Sequence, residues 1–256
     1  YTYELHKVYL NATETDDWIE KSKKISKLYA AFRNNKKNLK IPSNLSRALI
    51  ERKKIAKKAE NKINVAVEII KKYYVKNEDN NTDTPHRWLV YCEDKNQLED
   101  LKNRLIENNY HCSIYYSDKS SKELDSTLMS FYSNGGILLS IRCLDEGVDI
   151  PAADHALILA SSSSKREYIQ RRGRVLRKDP KNPIKIAKIH DMLTLPLDKE
   201  DSSVKSLIAN EILRSIEFGE YAINNNIHEI ETDKILSEYE LKLDNLQYTE
   251  EDDYEE

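Results

Sequence analysis

Apolar side chains recur along this chain in two rhythms, and the rhythm changes near residue 87. Tyr3, Leu5, Val8 and Leu10 fit a short extended opening segment. Thr13 or Thr15 then offers an N-cap, with Asp16 and Asp17 in the first turn, where the helix dipole favours acids. Trp18, Ile25, Leu28, Tyr29 and Phe32 follow at helical spacing. Residues 34–43 are polar and contain Pro42, which predicts a linker. Ser43 or Asn44 caps a second helix, with Leu45, Ala48, Leu49, Ile55, Ala56 and Ala59 on one side. Its other side carries Arg47, Arg52, Lys53, Lys54, Lys57 and Lys58. A third helix is expected over 62–75 and a loop over 77–85.

Past residue 87, short apolar runs alternate with helical stretches. Strands are expected over 88–92, 112–116, 136–141, 155–160 and 184–190. Helices are expected over 96–107, where Leu98, Leu101, Leu105 and Ile106 line up, and over 120–132 and 164–174. A long helix over 201–224 turns Val204, Leu207, Ile208, Ile212, Leu213 and Ile216 inward, and 230–247 reads as helical too. The acidic end, 250–256, is expected to fray. Strands alternating with helices mean an α/β fold with a mostly parallel sheet and helices on both faces. The chain divides at this level into 1–80, 81–200 and 201–256. In such sheets the carboxyl ends of the strands carry the chemistry. The residues to watch therefore follow Cys92, Tyr116, Ile141, Ala160 and His190.

Composition narrows the function classes. The 256 residues suffice for one large or two modest domains. Hydrophobic residues make up 39%, mean hydropathy is -0.73, and no apolar run reaches the length of about 18 residues that a membrane helix needs. The first ten residues hold no apolar signal core, and the chain starts without Met, so it reads as a piece of a longer protein. Cys92, Cys112 and Cys143 show no paired spacing, which points to a reducing, cytoplasmic setting. His86, His111, His155 and His190 lack metal-ligand spacing, so no metal is expected, and His190 with Asp191 reads as a hydrogen-bonded pair. The paired tyrosines Tyr73-Tyr74 and Tyr115-Tyr116 fit packing better than base stacking.

The net charge of -3 hides an asymmetry. Residues 1–75 carry 18 Lys/Arg against 8 Asp/Glu; residues 217–256 carry 2 against 14. A basic front end suits a polyanion, and an acidic tail suits solvent or a protein partner. Helix surfaces that simply need charge account for the same pattern.

Two segments carry candidate chemistry. In Gln170-Arg171-Arg172-Gly173-Arg174-Val175-Leu176-Arg177, the side chains of Arg174 and Arg177 are three apart and share a helical face. Two converging guanidinium groups fit a transferring phosphoryl group, as arginine fingers do. A generic basic patch is the competing reading, which the Gln and Gly at fixed offsets disfavour. The second segment runs from Ile137 to Pro151: an apolar strand ends in Ser140, an acidic loop with Gly147 follows, then Asp149. Ser140 is suited to a backbone phosphate and Asp149 to a ribose hydroxyl or to orienting the arginines. A plain strand exit with Asp149 and Pro151 as turn formers reads equally well in isolation.

In this order and about 20 residues apart, the two segments resemble motifs V and VI of superfamily 2 helicases and translocases. Trp88-Leu89-Val90-Tyr91-Cys92 resembles motif IV, and Val8-Tyr9-Leu10 with Arg52 and Ala59-Glu60-Asn61-Lys62 resembles the segment joining the two motor domains in XPB-like and restriction-type helicases. The resemblance implies a RecA-like second motor domain, with 1–80 as the connector, 81–200 as the core and 201–256 as C-terminal helices. It implies that Gln170, Arg174 and Arg177 face a γ-phosphate across a cleft. Glu146, Gly147 and Asp149 would approach the nucleotide. Ser140 and Arg142 would touch the nucleic-acid backbone, DNA by this resemblance, and Lys119 would substitute for a marker that Tyr115-Tyr116-Ser117-Asp118 does not reproduce.

No phosphate-loop sequence occurs, and Glu93-Asp94 has no such loop to serve. ATP and Mg²⁺ would then be held mainly by a RecA-like domain upstream, and this piece alone would be inactive. A non-enzymatic binding or regulatory module that kept the fold is the alternative. A motor fused to a nuclease, as in restriction enzymes, is a third reading, although nothing in these residues encodes a nuclease.

Overall fold

A computed structural model describes residues 1–34, 41–74, 86–141, 153–160, 185–198 and 201–246. The strands are β1 (Thr2–Tyr9), β2 (Arg87–Cys92), β3 (Cys112–Tyr115), β4 (Gly136–Ile141), β5 (His155–Ile158) and β6 (Lys188–Leu195). They form a sheet in the order β1-β6-β5-β2-β4-β3, with all neighbours parallel. Around it lie α1 (Ala12–Asn34), α2 (Ser43–Lys57), α3 (Asn61–Tyr73), α4 (Lys95–Glu107), α5 (Ser121–Asn134), α6 (Ser202–Gly219) and α7 (Asn225–Glu238). No helix among the described residues is long and apolar enough to cross a membrane.

Successive strand residues point to opposite faces, and the core divides accordingly. Trp88, Val90, Cys92, Ile137, Leu139, Leu157, Val8 and Met192 pack on one face with Ala66 and Ile70 of α3 and Leu98, Leu101 and Leu105 of α4. Leu89, Tyr91, Leu138, Ala156, Ile158, Tyr3 and Ile189 pack on the other with Phe131 of α5 and Phe218 of α6. Both faces are covered, as an all-parallel sheet requires.

Local signals set the helix ends. Asp94 accepts from the backbone N–H of Gln97 and starts α4. Ser120 and Glu123 form a reciprocal capping box at α5. Gly135 closes α5 at φ 68°, a conformation that costs glycine little.

Several boundaries differ from the sequence expectation. The strand expected over 184–190 starts at Lys188 and runs to Leu195. The long helix stops at Gly219, and the last one occupies Asn225–Glu238 rather than 230–247. The opening segment, expected to be extended, is strand β1, paired with β6 from Thr2↔Lys188 to Tyr9↔Leu195. The helix expected over 164–174 lies outside the described residues.

Candidate functional site

The carboxyl edge of the sheet is framed by the turn between α2 and α3, which is fastened to three strand ends. Asn61 donates to the carbonyl of Tyr9 at the end of β1 (2.8 Å). Beyond β2, Gln97 accepts from the Glu93 N–H (2.8 Å) and donates to the Lys57 carbonyl (3.1 Å). At β5, Lys62 donates to the Leu159 carbonyl (2.6 Å). Lys62 is 2% exposed, and burial pushes its ammonium down to about 8 despite Glu211, Asp191 and Glu93 around it.

This frame neutralises the acidic pair beyond β2. Lys57 faces Glu93 at 3.6 Å and Lys58 faces Asp94 at 2.6 Å. Burial raises the Asp94 carboxyl, but bonds from the Gln97 N–H and from Lys58 outweigh it, and the net shift is downward. With one carboxylate capping a helix and both facing lysines, the pair does not fit a Mg²⁺ site. The basic side of α2 is likewise partly engaged within the chain. Arg52 is buried, donates to Ser22 (3.0 Å) and lies 4.8 Å over the Trp18 ring; Arg47 pairs with Glu51.

Of the sequence-predicted site residues, Ser140 and Lys119 fall among the described ones. Lys119 sits in the turn beyond β3, its N–H donating to the Tyr116 carbonyl, beside the Lys95–Asp118 ion pair. Its side chain is half-buried. Ser140 stands at the end of β4 as expected, but its hydroxyl is fully buried and donates to the Val90 carbonyl (3.2 Å). This geometry does not present the hydroxyl to a phosphate, which corrects the expectation: Ser140 shares a face with Leu138, toward α5, rather than the rim. Gln170, Arg174, Arg177, Glu146, Gly147, Asp149 and Arg142 lie outside the described residues, as does Cys143.

At the opposite, amino end of the sheet the structure gathers residues that spacing did not connect. His190 bonds to His6 on one side (Nδ1 to Nε2, 3.0 Å) and to His155 on the other (Nε2 to Nδ1, 3.1 Å). Trp88 stacks on His155 at 4.2 Å between centroids. Burial first, and Lys188 among the nearby charges, pushes His155 down to about 3 and His190 down to about 2. Asp191 is not the partner of His190. Adjacent strand residues face opposite ways, and Asp191 accepts from Tyr3 (2.7 Å) on the other face, with Arg214 3.5 Å away. Spacing along the chain did not show a further grouping: one ligand atom each from Glu4, His6 and His190 lies within 4.8 Å of the others. Glu4 and His6, two apart in an extended segment, were the available signal; their partner is 184 residues away.

Residues 61–179, a little under half the chain, match the family described as helicase conserved C-terminal domain. The ATP-dependent RNA helicase eIF4A of Kluyveromyces lactis is 33% identical over 87 residues, 34% of this chain and 22% of that protein. The DNA 3'-5' translocase XPB2 of Sulfurisphaera tokodaii is 32% identical over 74 residues, 28% of this chain and 16% of that protein. The matched stretches thus span about a fifth or less of these relatives. Among solved structures, the C-terminal part of the Fun30 ATPase domain shares the fold, with a TM-score of 0.55 over 93% of this chain and 97% of that one, at 14% identity.

Proposed function

We propose, from the premise that this chain carries a superfamily 2 helicase C-terminal, RecA-like domain, that it is the second motor lobe of an ATP-dependent nucleic-acid translocase. The observation that carries this reading is the position of the two motif segments. Both Ile137–Pro151 and Gln170–Arg177 fall within 61–179, the span that matches the helicase family, and the first begins on β4, whose carboxyl end is Ile141. In this proposal Arg174 and Arg177 act as arginine fingers toward a γ-phosphate, with Gln170 beside them. Glu146, Gly147 and Asp149 line the nucleotide, and Arg142 with Lys119 meets the nucleic-acid backbone.

ATP and Mg²⁺ would be held mainly by an upstream RecA-like lobe. The described carboxylates support that division of labour, because Glu93 and Asp94 face Lys57 and Lys58. Nucleotide between the lobes closes them, and its hydrolysis lets them part while the backbone contacts shift along the strand. The arginine pair disfavours a module that has lost the motor.

DNA as the track is supported by the likeness to XPB2. RNA is the second reading, favoured by the likeness to eIF4A. Both readings are tested in the full-length protein. Arg174→Ala should lower ATP turnover about 10³-fold or more with nucleic-acid binding retained; unchanged turnover would remove the finger assignment. Stimulation of the wild-type ATPase by duplex DNA above that by RNA supports the DNA track, and the reverse order replaces it with RNA.

A further inference from the structure

The strands β1 and β6 bring together two imidazoles and a carboxylate that the motor reading does not use. His6 Nε2 lies 3.0 Å from His190 Nδ1, Glu4 Oε2 lies 3.6 Å from the same nitrogen, and one ligand atom from each of the three residues falls within 4.8 Å of the others. An ion such as Zn²⁺ binds nitrogen and oxygen ligands at about 2.0–2.1 Å, which sets tetrahedral ligand atoms about 3.3 Å apart. The 3.0 and 3.6 Å separations to His190 Nδ1 bracket that value. We propose that Glu4, His6 and His190 form a binding site for a divalent transition-metal ion of the zinc class, with its remaining position open to water.

The surroundings orient the three side chains. Lys188 bonds to Glu4 Oε1 at 3.0 Å, which leaves Oε2 turned toward His190. With a metal on Nδ1, His190 keeps its proton on Nε2 and donates it to His155 Nδ1, 3.1 Å away. A ligand imidazole oriented by a bond from its other nitrogen is the usual supporting arrangement at such sites. The ring stack of Trp88, His155 and His190, with interplanar angles of 6° and 8°, fixes the plane of the buried ligand. Tyr73 of α3 packs 4.9 Å from the His190 ring. Access is through Glu4, 29% exposed at its side chain, and through half-buried His6. The site lies at the amino end of the strands, away from the carboxyl-edge rim, and an ion there would pin the edge strand β1 to β6.

The test uses the chain stripped with a chelator and then titrated calorimetrically with Zn²⁺, with Co²⁺ absorption reporting the ligand field. One equivalent should bind and raise Tm by several degrees. His6→Ala and Glu4→Gln, both at partly exposed positions, should each weaken binding at least tenfold and abolish the Tm rise. His155→Gln should weaken it less, and His111→Ala, at an exposed position elsewhere, should have no effect. Absence of a one-equivalent Zn²⁺ event in the wild type, or undiminished binding by His6→Ala, overturns the proposal. In either case the three imidazoles are a hydrogen-bonded chain that ties the strands without an ion.

Discussion

The buried ammonium of Lys62 donates to the carbonyl oxygen of Leu159 across 2.6 Å, joining the start of α3 to the end of β5. Burial lowers this lysine from 10.5 to about 8. Below about 8 the folded and unfolded chains both hold the proton, so the cost of burying the charge is fully present. Between that value and 10.5 the folded chain is the first to release it, and stability rises with pH. Above 10.5 both forms are neutral and the cost is gone. The shift corresponds to about 3 kcal/mol. Urea titrations should therefore show the wild type gaining stability of that order over Lys62→Met as pH rises from neutral to 10.5. A pH-independent difference between the two proteins would show that Lys62 folds without a desolvation cost.

Lys57 and Lys58 belong, on sequence alone, to a basic face for nucleic acid, but each faces a carboxylate in the fold. Replacing a phosphate-binding lysine lowers the slope of log affinity against log salt by about one. Lys58→Gln should leave that slope unchanged and lower stability by about 0.5–1 kcal/mol, since the pair is partly exposed. Lys57→Gln should cost more, roughly 2 kcal/mol, because the Glu93 side chain opposite is 7% exposed. Fluorescence anisotropy with labelled oligonucleotides across a salt series, alongside urea midpoints, separates the outcomes. A slope change of one per lysine would return this face to the nucleic-acid interface.

Gly219 ends α6 where the ring of His228 comes closest to the backbone. A Cβ there would stand 2.0 Å from His228 Cδ2 and 2.6 Å from Nε2. The ring is buried and packs edge-on against Tyr3 at 5.0 Å, so it has little room to retreat. Gly219→Ala should cost about 1–3 kcal/mol by overpacking. The penalty should shrink in a His228→Ala background, read from urea midpoints of the four proteins in the cycle. An equal penalty in both backgrounds would assign the cost to the helix end instead.

The sheet faces were readable before the fold was known, because Trp88, Val90 and Cys92 alternate with Leu89 and Tyr91 and both sets are apolar, as a strand buried on two sides requires. The start of β6 was not. Ile184 and Ile186 look like strand, yet Ile186 is 60% exposed and pairing begins at the charged Lys188, continuing to Leu195 before Pro196. Pairing of β1 with β6 joins residues more than 180 positions apart, and no local pattern encodes it. The histidine cluster was hidden for the same reason: its members come from β1, β5 and β6, and only the register aligns them. At the carboxyl edge the position of Ser140 was legible, whereas the direction of its hydroxyl depended on strand parity.

That parity gives a prediction about grip. Ser140 is fully buried, pairs with Tyr91 of β2 and Tyr115 of β3, and donates to the Val90 carbonyl at 3.2 Å. A hydroxyl in this position contributes one neutral hydrogen bond, and the Val90 carbonyl retains its place in the sheet without it. Ser140→Ala should therefore change stability by no more than about 1 kcal/mol. Affinity for nucleic acid and its salt slope in the full-length protein should match the wild type, because no phosphate contact is removed. Should affinity drop tenfold with the urea midpoint unmoved, the hydroxyl must leave Val90 when nucleic acid binds, and β4 would have to open toward the rim to let it.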